Sequence, residues 1–147
     1  MKKILVAILA ATVFWQAKAA GSAWLTDLPA AQAQAKTEHK MVLMDFTGSD
    51  WCPWCIKFKK EVLDSKKFQA YAAKSVVLVE LDFPKSKPQT DDLKQANGAL
   101  KAKYGIEGFP TLIVLDQNGK EIGRQVGYED GGPKAFIAQL EKYQAGK

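Results

Sequence analysis

The pentapeptide Trp51-Cys52-Pro53-Trp54-Cys55 holds the only two cysteines of a 147-residue chain. Two thiols separated by two residues suit a disulfide that is made and broken during turnover. The flanks give the reason. Met41–Phe46, just upstream, is an apolar, strand-like run, and Thr47-Gly48-Ser49-Asp50 is a short polar turn. Downstream, the pattern from about Cys52 to Leu63 is helical. Cys52 therefore falls where a strand hands over to a helix. Its thiolate can there accept free backbone N–H groups and feel the positive end of the helix dipole. Pro53 takes the first helical position, where its fixed φ and missing N–H cost nothing.

Other uses of such a pair are weaker. A zinc site needs about four ligands, and beyond the cysteines the chain offers one distant histidine, His39. Haem attachment needs histidine directly after the second cysteine, and Ile56 stands there. A purely structural disulfide stays open, although so short a loop removes little unfolded-state entropy.

The N-terminus reads as a secretory signal. Met1-Lys2-Lys3 is a basic start, Ile4 to Phe14 is apolar, and Ala17-Lys18-Ala19 fits the small-x-small cleavage rule. Residues 1–19 are thus expected to be removed, leaving one domain over 20–147. The alternative, an uncleaved anchor, meets an apolar run well short of the ~20 residues a span needs. No cysteine follows the run to accept lipid. The formal net charge of +5 is partly this segment: without Lys2, Lys3 and Lys18, 21 basic and 16 acidic residues become 18 and 16. No patch interleaves arginine with aromatics, Arg124 being the one arginine, so nucleic acid is not an expected partner.

Ser22 to Lys40 reads as a lead-in and an amphipathic helix, with Asp27 as cap and Pro29 in the first turn. The Cys52 helix should break near Asp64-Ser65 and resume through Phe68, Tyr71 and Ala72. Val76–Asp82 is nearly all apolar and β-branched, as in a central strand covered on both faces. Phe83–Gln89, with Pro84 and Pro88, is loop. Thr90 caps the next helix, with Asp91 and Asp92 in its first turn, a stripe of Leu93, Ala96, Leu100 and Tyr104, and Gly105 at its end. Thr111–Leu115 is a strand, Asp116–Gly119 a hairpin turn, and Glu121–Val126 the returning strand. The turn's likeness to a calcium loop fails on ligand spacing. Gly131-Gly132-Pro133 starts a last helix with Phe136, Ile137 and Leu140 inward. This order predicts an α/β domain, a central mixed β-sheet flanked by helices on both faces.

With Trp51-Cys52-x-x-Cys55 on the first helix and Gly108-Phe109-Pro110-Thr111 ahead of a strand, the chain resembles the thioredoxin superfamily over nearly all of residues 38–144. Its Phe-Thr-Gly-Ser-Asp-Trp-Cys lead-in resembles that of secreted thioredoxin-like proteins, and the chain is also similar to the C-terminal domain of the bacterial transmembrane disulfide reductase. The resemblance implies a thioredoxin fold and roles for single residues. Cys52 is the exposed nucleophile and Cys55 the buried resolving thiol. Pro110 is cis and faces the pair. Phe109 offers backbone groups that pair with substrate. Trp51, Pro53 and Trp54 flank the substrate, ordinary packing being the other reading of Trp51.

Two departures matter. The family's buried aspartate, which takes the proton of the resolving thiol, lies six residues before the nucleophile, whereas Asp45 lies seven before Cys52. Asp45 keeps the role if the extra residue bulges in the 47–50 turn. Glu80 stands near where the family often has a buried lysine and is a candidate proton relay. Lys60 stands roughly where thioredoxins kink this helix with proline. His39 is expected on the surface.

The resemblance implies a periplasmic or secreted thiol-disulfide oxidoreductase needing no metal or organic cofactor beyond the Cys52–Cys55 disulfide. The periplasmic oxidase carries histidine between its cysteines and an inserted domain, and isomerases dimerise through an extra domain. None of these is present, so the expected activity is reduction of protein disulfides by a monomer, with a membrane-bound thiol donor as electron source. Oxidase or isomerase activity, a role in cytochrome maturation, and a non-enzymatic binding module on the same fold are the rivals.

Overall fold

The computed structural model describes residues 23–146. The expected leader, residues 1–19, and the domain start at residue 20 lie outside them. Helix α1 (Leu28–Glu38) leads into strand β1 (Met41–Thr47). Helix α2 (Pro53–Phe58) runs on through a π-helical turn (Lys59–Leu63), and α3 (Lys66–Ser75) follows. Strand β2 (Val76–Asp82), helix α4 (Asp91–Lys103), strands β3 (Thr111–Leu115) and β4 (Glu121–Val126), and helix α5 (Gly132–Ala145) complete the chain. The sheet order is β2-β1-β3-β4, with β1 parallel to β2 and antiparallel to β3. This is the expected thioredoxin fold. Among the described residues no helix is long and apolar enough to cross a membrane.

Period-two alternation divides the core. Met41 and Leu43 of β1 pack with Phe58, Val62, Leu63, Phe68, Phe136 and Leu140 beneath α2, α3 and α5. Val42, Met44 and Phe46 pack on the other face with Leu28, Ala31, Ala35 and Ile106. Phe46, Phe58 and Phe68 are fully buried, and truncating any one to alanine would cost about 3–5 kcal/mol.

Local signals place the boundaries. Ser65 Oγ accepts from Phe68 N at 3.2 Å and restarts the helix after the expected break at Asp64-Ser65. Thr90 Oγ1 caps α4 through Leu93 N at 3.3 Å, and Gly105, at φ 62°, ends it in a left-handed turn. Asp116 Oδ1 accepts from Asn118 N and Lys120 N and closes the β3–β4 hairpin. Asp27 stands at the N-cap of α1 without a side-chain capping bond. Lys60 lies within the π-helical turn, so the active-site helix loosens there without a proline at that position.

Two expectations need correction. β2 is not a central strand: it forms one side of the sheet. Its apolar run follows from helices on both faces, and Leu25 closes its free side, donating to Leu78 O at 2.9 Å and accepting from Glu80 N at 2.8 Å. The stripe of α4 is also rotated. Ala96 is exposed, and the buried residue is Asn97, whose Nδ2 donates to Asp82 O at 3.0 Å. A strand-end carbonyl thus outcompetes an apolar neighbour for the buried position.

Candidate active site

β1 delivers the chain to a tight turn. Gly48 O accepts from Trp51 N at 3.3 Å and Cys52 N at 2.9 Å, which swings Cys52 into the N-cap of α2 with Pro53 next. Cys55 N donates to Cys52 Sγ at 3.3 Å, and Gly48 N donates to Cys55 Sγ at 3.5 Å. Both sulfurs therefore carry a backbone donor, which favours negative charge on sulfur over the neutral thiol. The two form a disulfide, Cα–Cα 5.3 Å. In this oxidised state Cys52 is 5% and Cys55 3% exposed. The expected contrast between an exposed and a buried cysteine is thus absent from accessibility and lies in the partners of the two sulfurs.

Cys52 Sγ faces the loop before β3, 3.7 Å from Phe109 O. The Phe109–Pro110 peptide bond is cis. Gly127 N donates to Pro110 O at 2.8 Å, and Thr111 Oγ1 donates to Gly108 O at 2.8 Å, so both sides of the loop are tied down. Trp51 packs edge-on to Phe109, ring centroids 5.9 Å apart, and its Nε1 donates to Phe83 O at 2.8 Å. Trp54 is 56% exposed and stacks on Tyr128 at 5.6 Å. Cys52, Pro53, Trp54, Cys55, Trp51, Phe109 and Pro110 are thus brought to one face.

Asp45 and Glu80 lie deeper. Alternation puts Asp45 with Met41 and Leu43, on the sheet face that α2 covers, and Glu80 is its register partner on β2. Asp45 is buried, and its Oδ1 has no hydrogen-bond partner. Burial pushes its pKa up to about 7. The Glu80 and Asp82 charges contribute to that rise and Lys59 opposes it. Burial also raises the pKa of the half-buried Glu80, against the opposing pull of Lys59. β1 keeps its register with β2 from Met41 through Thr47, which fixes Asp45 on the covered face.

The turn after β1 has a partner invisible in local sequence. Asp50 accepts from the backbone N–H groups of Lys85, Ser86 and Lys87 at 2.7–2.9 Å, which holds its pKa down to about 2. Asp82 accepts from Ser49 N at 3.0 Å and Ser49 Oγ at 2.6 Å. The 83–89 loop is therefore locked to the redox turn. Tyr128, which drew no reading from sequence, donates to Glu61 Oε2 at 2.7 Å and backs Trp54. Its one sequence signal was an aromatic next to glycine in the loop after β4, where binding residues gather. His39 is remote and exposed, its Nδ1 3.2 Å from Gln117 Oε1. Among the described residues no group of three or more His, Cys, Asp or Glu could hold a metal.

Gly48 leaves no room for a side chain: a Cβ there would sit 2.6 Å from the Trp51 indole. Gly48→Ala is expected to displace Trp51 and lower stability by about 1–3 kcal/mol. Thermal unfolding and a shifted tryptophan emission would register it. An unchanged spectrum and melting temperature would refute the packing argument.

The sequence profile of the thioredoxin-like domain matches residues 28–144. The chain is 40% identical over 107 residues to the disulfide bond reductase DsbH of Chlamydia pneumoniae, across 73% of this chain and 64% of that protein. It therefore spans under two thirds of that relative's length. A solved structure described as DsbH oxidoreductase superposes with a TM-score of 0.75 at 37% identity, covering 84% of this chain and 86% of the other. The reduced C-terminal domain of Neisseria meningitidis DsbD superposes with a TM-score of 0.59 at 25% identity, covering 79% and 93%. With the Cys52–Cys55 disulfide at the start of α2 and the Phe109-Pro110 loop against it, the chain belongs to the thioredoxin-like domain family.

Proposed function

We propose that this protein is a thiol-disulfide oxidoreductase that reduces protein disulfides in the periplasm. Reduced Cys52 attacks one sulfur of a substrate disulfide as thiolate. A mixed disulfide forms and the other substrate sulfur leaves as thiol. Cys55 then attacks Cys52 Sγ, releases the second substrate thiol and regenerates the Cys52–Cys55 disulfide. Asp45 takes the Cys55 proton in that step and Glu80 shares the relay. Phe109 pairs its backbone with the substrate, while Pro110, Trp51, Pro53 and Trp54 frame it.

One observation carries this reading: Cys52 Sγ, supplied with a backbone donor, stands 3.7 Å from the Phe109 carbonyl in a loop that a substrate strand can reach. The name of DsbH, a disulfide bond reductase, supports the reductive direction. Electrons come from a membrane-bound thiol donor, and the protein works as a monomer after loss of residues 1–19.

Insulin reduction by the dithiol form tests the activity, and equilibration with glutathione tests the direction. A potential near −270 mV, about that of thioredoxin, is expected. A value near −120 mV, about that of a strong oxidant, would reverse the direction. Failure to reduce insulin at any potential would leave the binding-module reading in its place.

A further inference from the structure

We infer that the redox face selects acidic polypeptide segments, through a collar of lysines laid over the aromatic rings around Cys52. The inference rests on the reductase reading and adds the class of substrate to it.

Three lysines lie on rings bordering the cysteine pair. Lys57 Nζ is 4.5 Å from the Tyr128 ring and 5.5 Å from that of Trp54. Lys85 Nζ is 4.1 Å from the Trp51 ring. Lys101 Nζ is 5.7 Å from the Phe109 ring and 6.0 Å from that of Phe83. Among the described residues none of the three has a carboxylate within ion-pair distance, whereas Lys40, Lys59, Lys94 and the one arginine, Arg124, do. Cation–π contact positions an ammonium group without neutralising it. The three charges therefore stay available to an incoming anion.

Three of the acidic groups nearby keep their charge but are fixed in place by hydrogen bonds. Asp50 is capped by the N–H groups of Lys85, Ser86 and Lys87, so its carboxylate fixes the loop that brings Lys85 over Trp51. Asp82 is held by Ser49, and Glu61 by Tyr128. Asp130 is the carboxylate that lines the groove of about 400 Å³ formed with Trp54, Lys57, Phe109, Gly127 and Tyr128. It is the one local counterweight in that groove.

A polypeptide suits this surface better than a nucleic acid. The rings are engaged with one another: Trp54 on Tyr128, Phe83 on Phe109, Trp51 edge-on to Phe109. None presents two free faces to a base. The Phe109 carbonyl beside the sulfur offers pairing to an extended backbone.

The test uses one cystine-bridged peptide loop in three versions, flanked by acidic, neutral or basic residues. kcat/KM for reduction is followed from low to 0.5 M NaCl. The acidic version is expected to be reduced about tenfold faster than the basic one at low salt, converging as screening sets in. Lys57→Gln, Lys85→Gln and Lys101→Gln together should bring the ratio towards one. Asp130→Asn should raise it, and Lys94→Gln on the far part of α4 should not move it. Cysteine-free acidic and basic peptides, titrated into the oxidised protein by tryptophan emission, read the collar without any redox step. No reduction of any loop, with acidic peptides still bound preferentially, would sink the reductase reading and leave the collar standing. Equal binding of the acidic and basic peptides, or a ratio indifferent to the triple substitution, would overturn the collar. Tighter binding of a single-stranded oligonucleotide or of phosphatidylglycerol vesicles would overturn the choice of polypeptide.

Discussion

Cys52→Ala is expected to abolish disulfide exchange, a loss on the order of a thousandfold or more, as for removal of other covalent nucleophiles. Cys55→Ala should stop turnover just as fully but leave a different trace. Its Cys52 still attacks, no second thiol resolves the product, and protein-sized mixed disulfides accumulate that dithiothreitol releases. The asymmetry follows from position: Cys52 caps the start of α2 and faces the Phe109 loop, whereas Cys55 lies inside the helix behind it. In the reduced wild type iodoacetamide should modify Cys52 about tenfold faster than Cys55. Mixed disulfides trapped equally by both variants would contradict the assignment of nucleophile and resolving thiol.

Asp45→Asn should act on stability and on exchange together. Burial and the neighbouring Glu80 push the Asp45 carboxyl up to about 7 in the folded protein, whereas an unfolded chain has it near 3.9. Between those values the native state holds more protons than the unfolded one. Wild-type stability therefore falls as pH rises from about 4 to about 7, and the full cost is present above that window. The asparagine variant lacks this slope. It should match the wild type near pH 4 and exceed it at pH 8 by on the order of 2–4 kcal/mol, roughly 10 °C in melting temperature. Exchange should slow near neutral pH by about a hundredfold, the scale of a lost general base, and recover at high pH, where thiols ionise unaided. Superimposable pH profiles with unchanged stability would make Asp45 structural and move attention to Glu80.

What could be read from the sequence was what neighbours along the chain decide. The Asp116–Gly119 hairpin, the Thr90 cap and the break at Asp64-Ser65 each rest on contacts spanning a few residues. The redox pair and its loop were legible because two short motifs carry them. Strand order was not, since a parallel strand under helices is apolar wherever it stands in the sheet, and Leu25 closes β2 through backbone groups that leave no side-chain signature. Asp50 shows the same limit: its partners are N–H groups some 35 residues away in sequence. A carboxylate in a polar turn reads as solvated until the loop that meets it is known. Asn97 stayed hidden because an amide within an apolar stripe looks like an interruption, and its partner, Asp82 O, is the end of a distant strand.

The closure of β2 by Leu25 bears on how the molecule behaves in crowded solution. Exposed strand backbones recruit one another, and Val76–Val79 is β-branched, apolar and uncharged, a sequence type prone to such self-association. Leu25 bonds on both sides of Val79, at Leu78 O and Glu80 N, at the end of that segment. A few residues ahead of α1 thus act as a gatekeeper for the β2 edge of the sheet. Shortening the chain past Leu25 is expected to leave the disulfide chemistry in place and to make the protein clump more readily as its concentration rises.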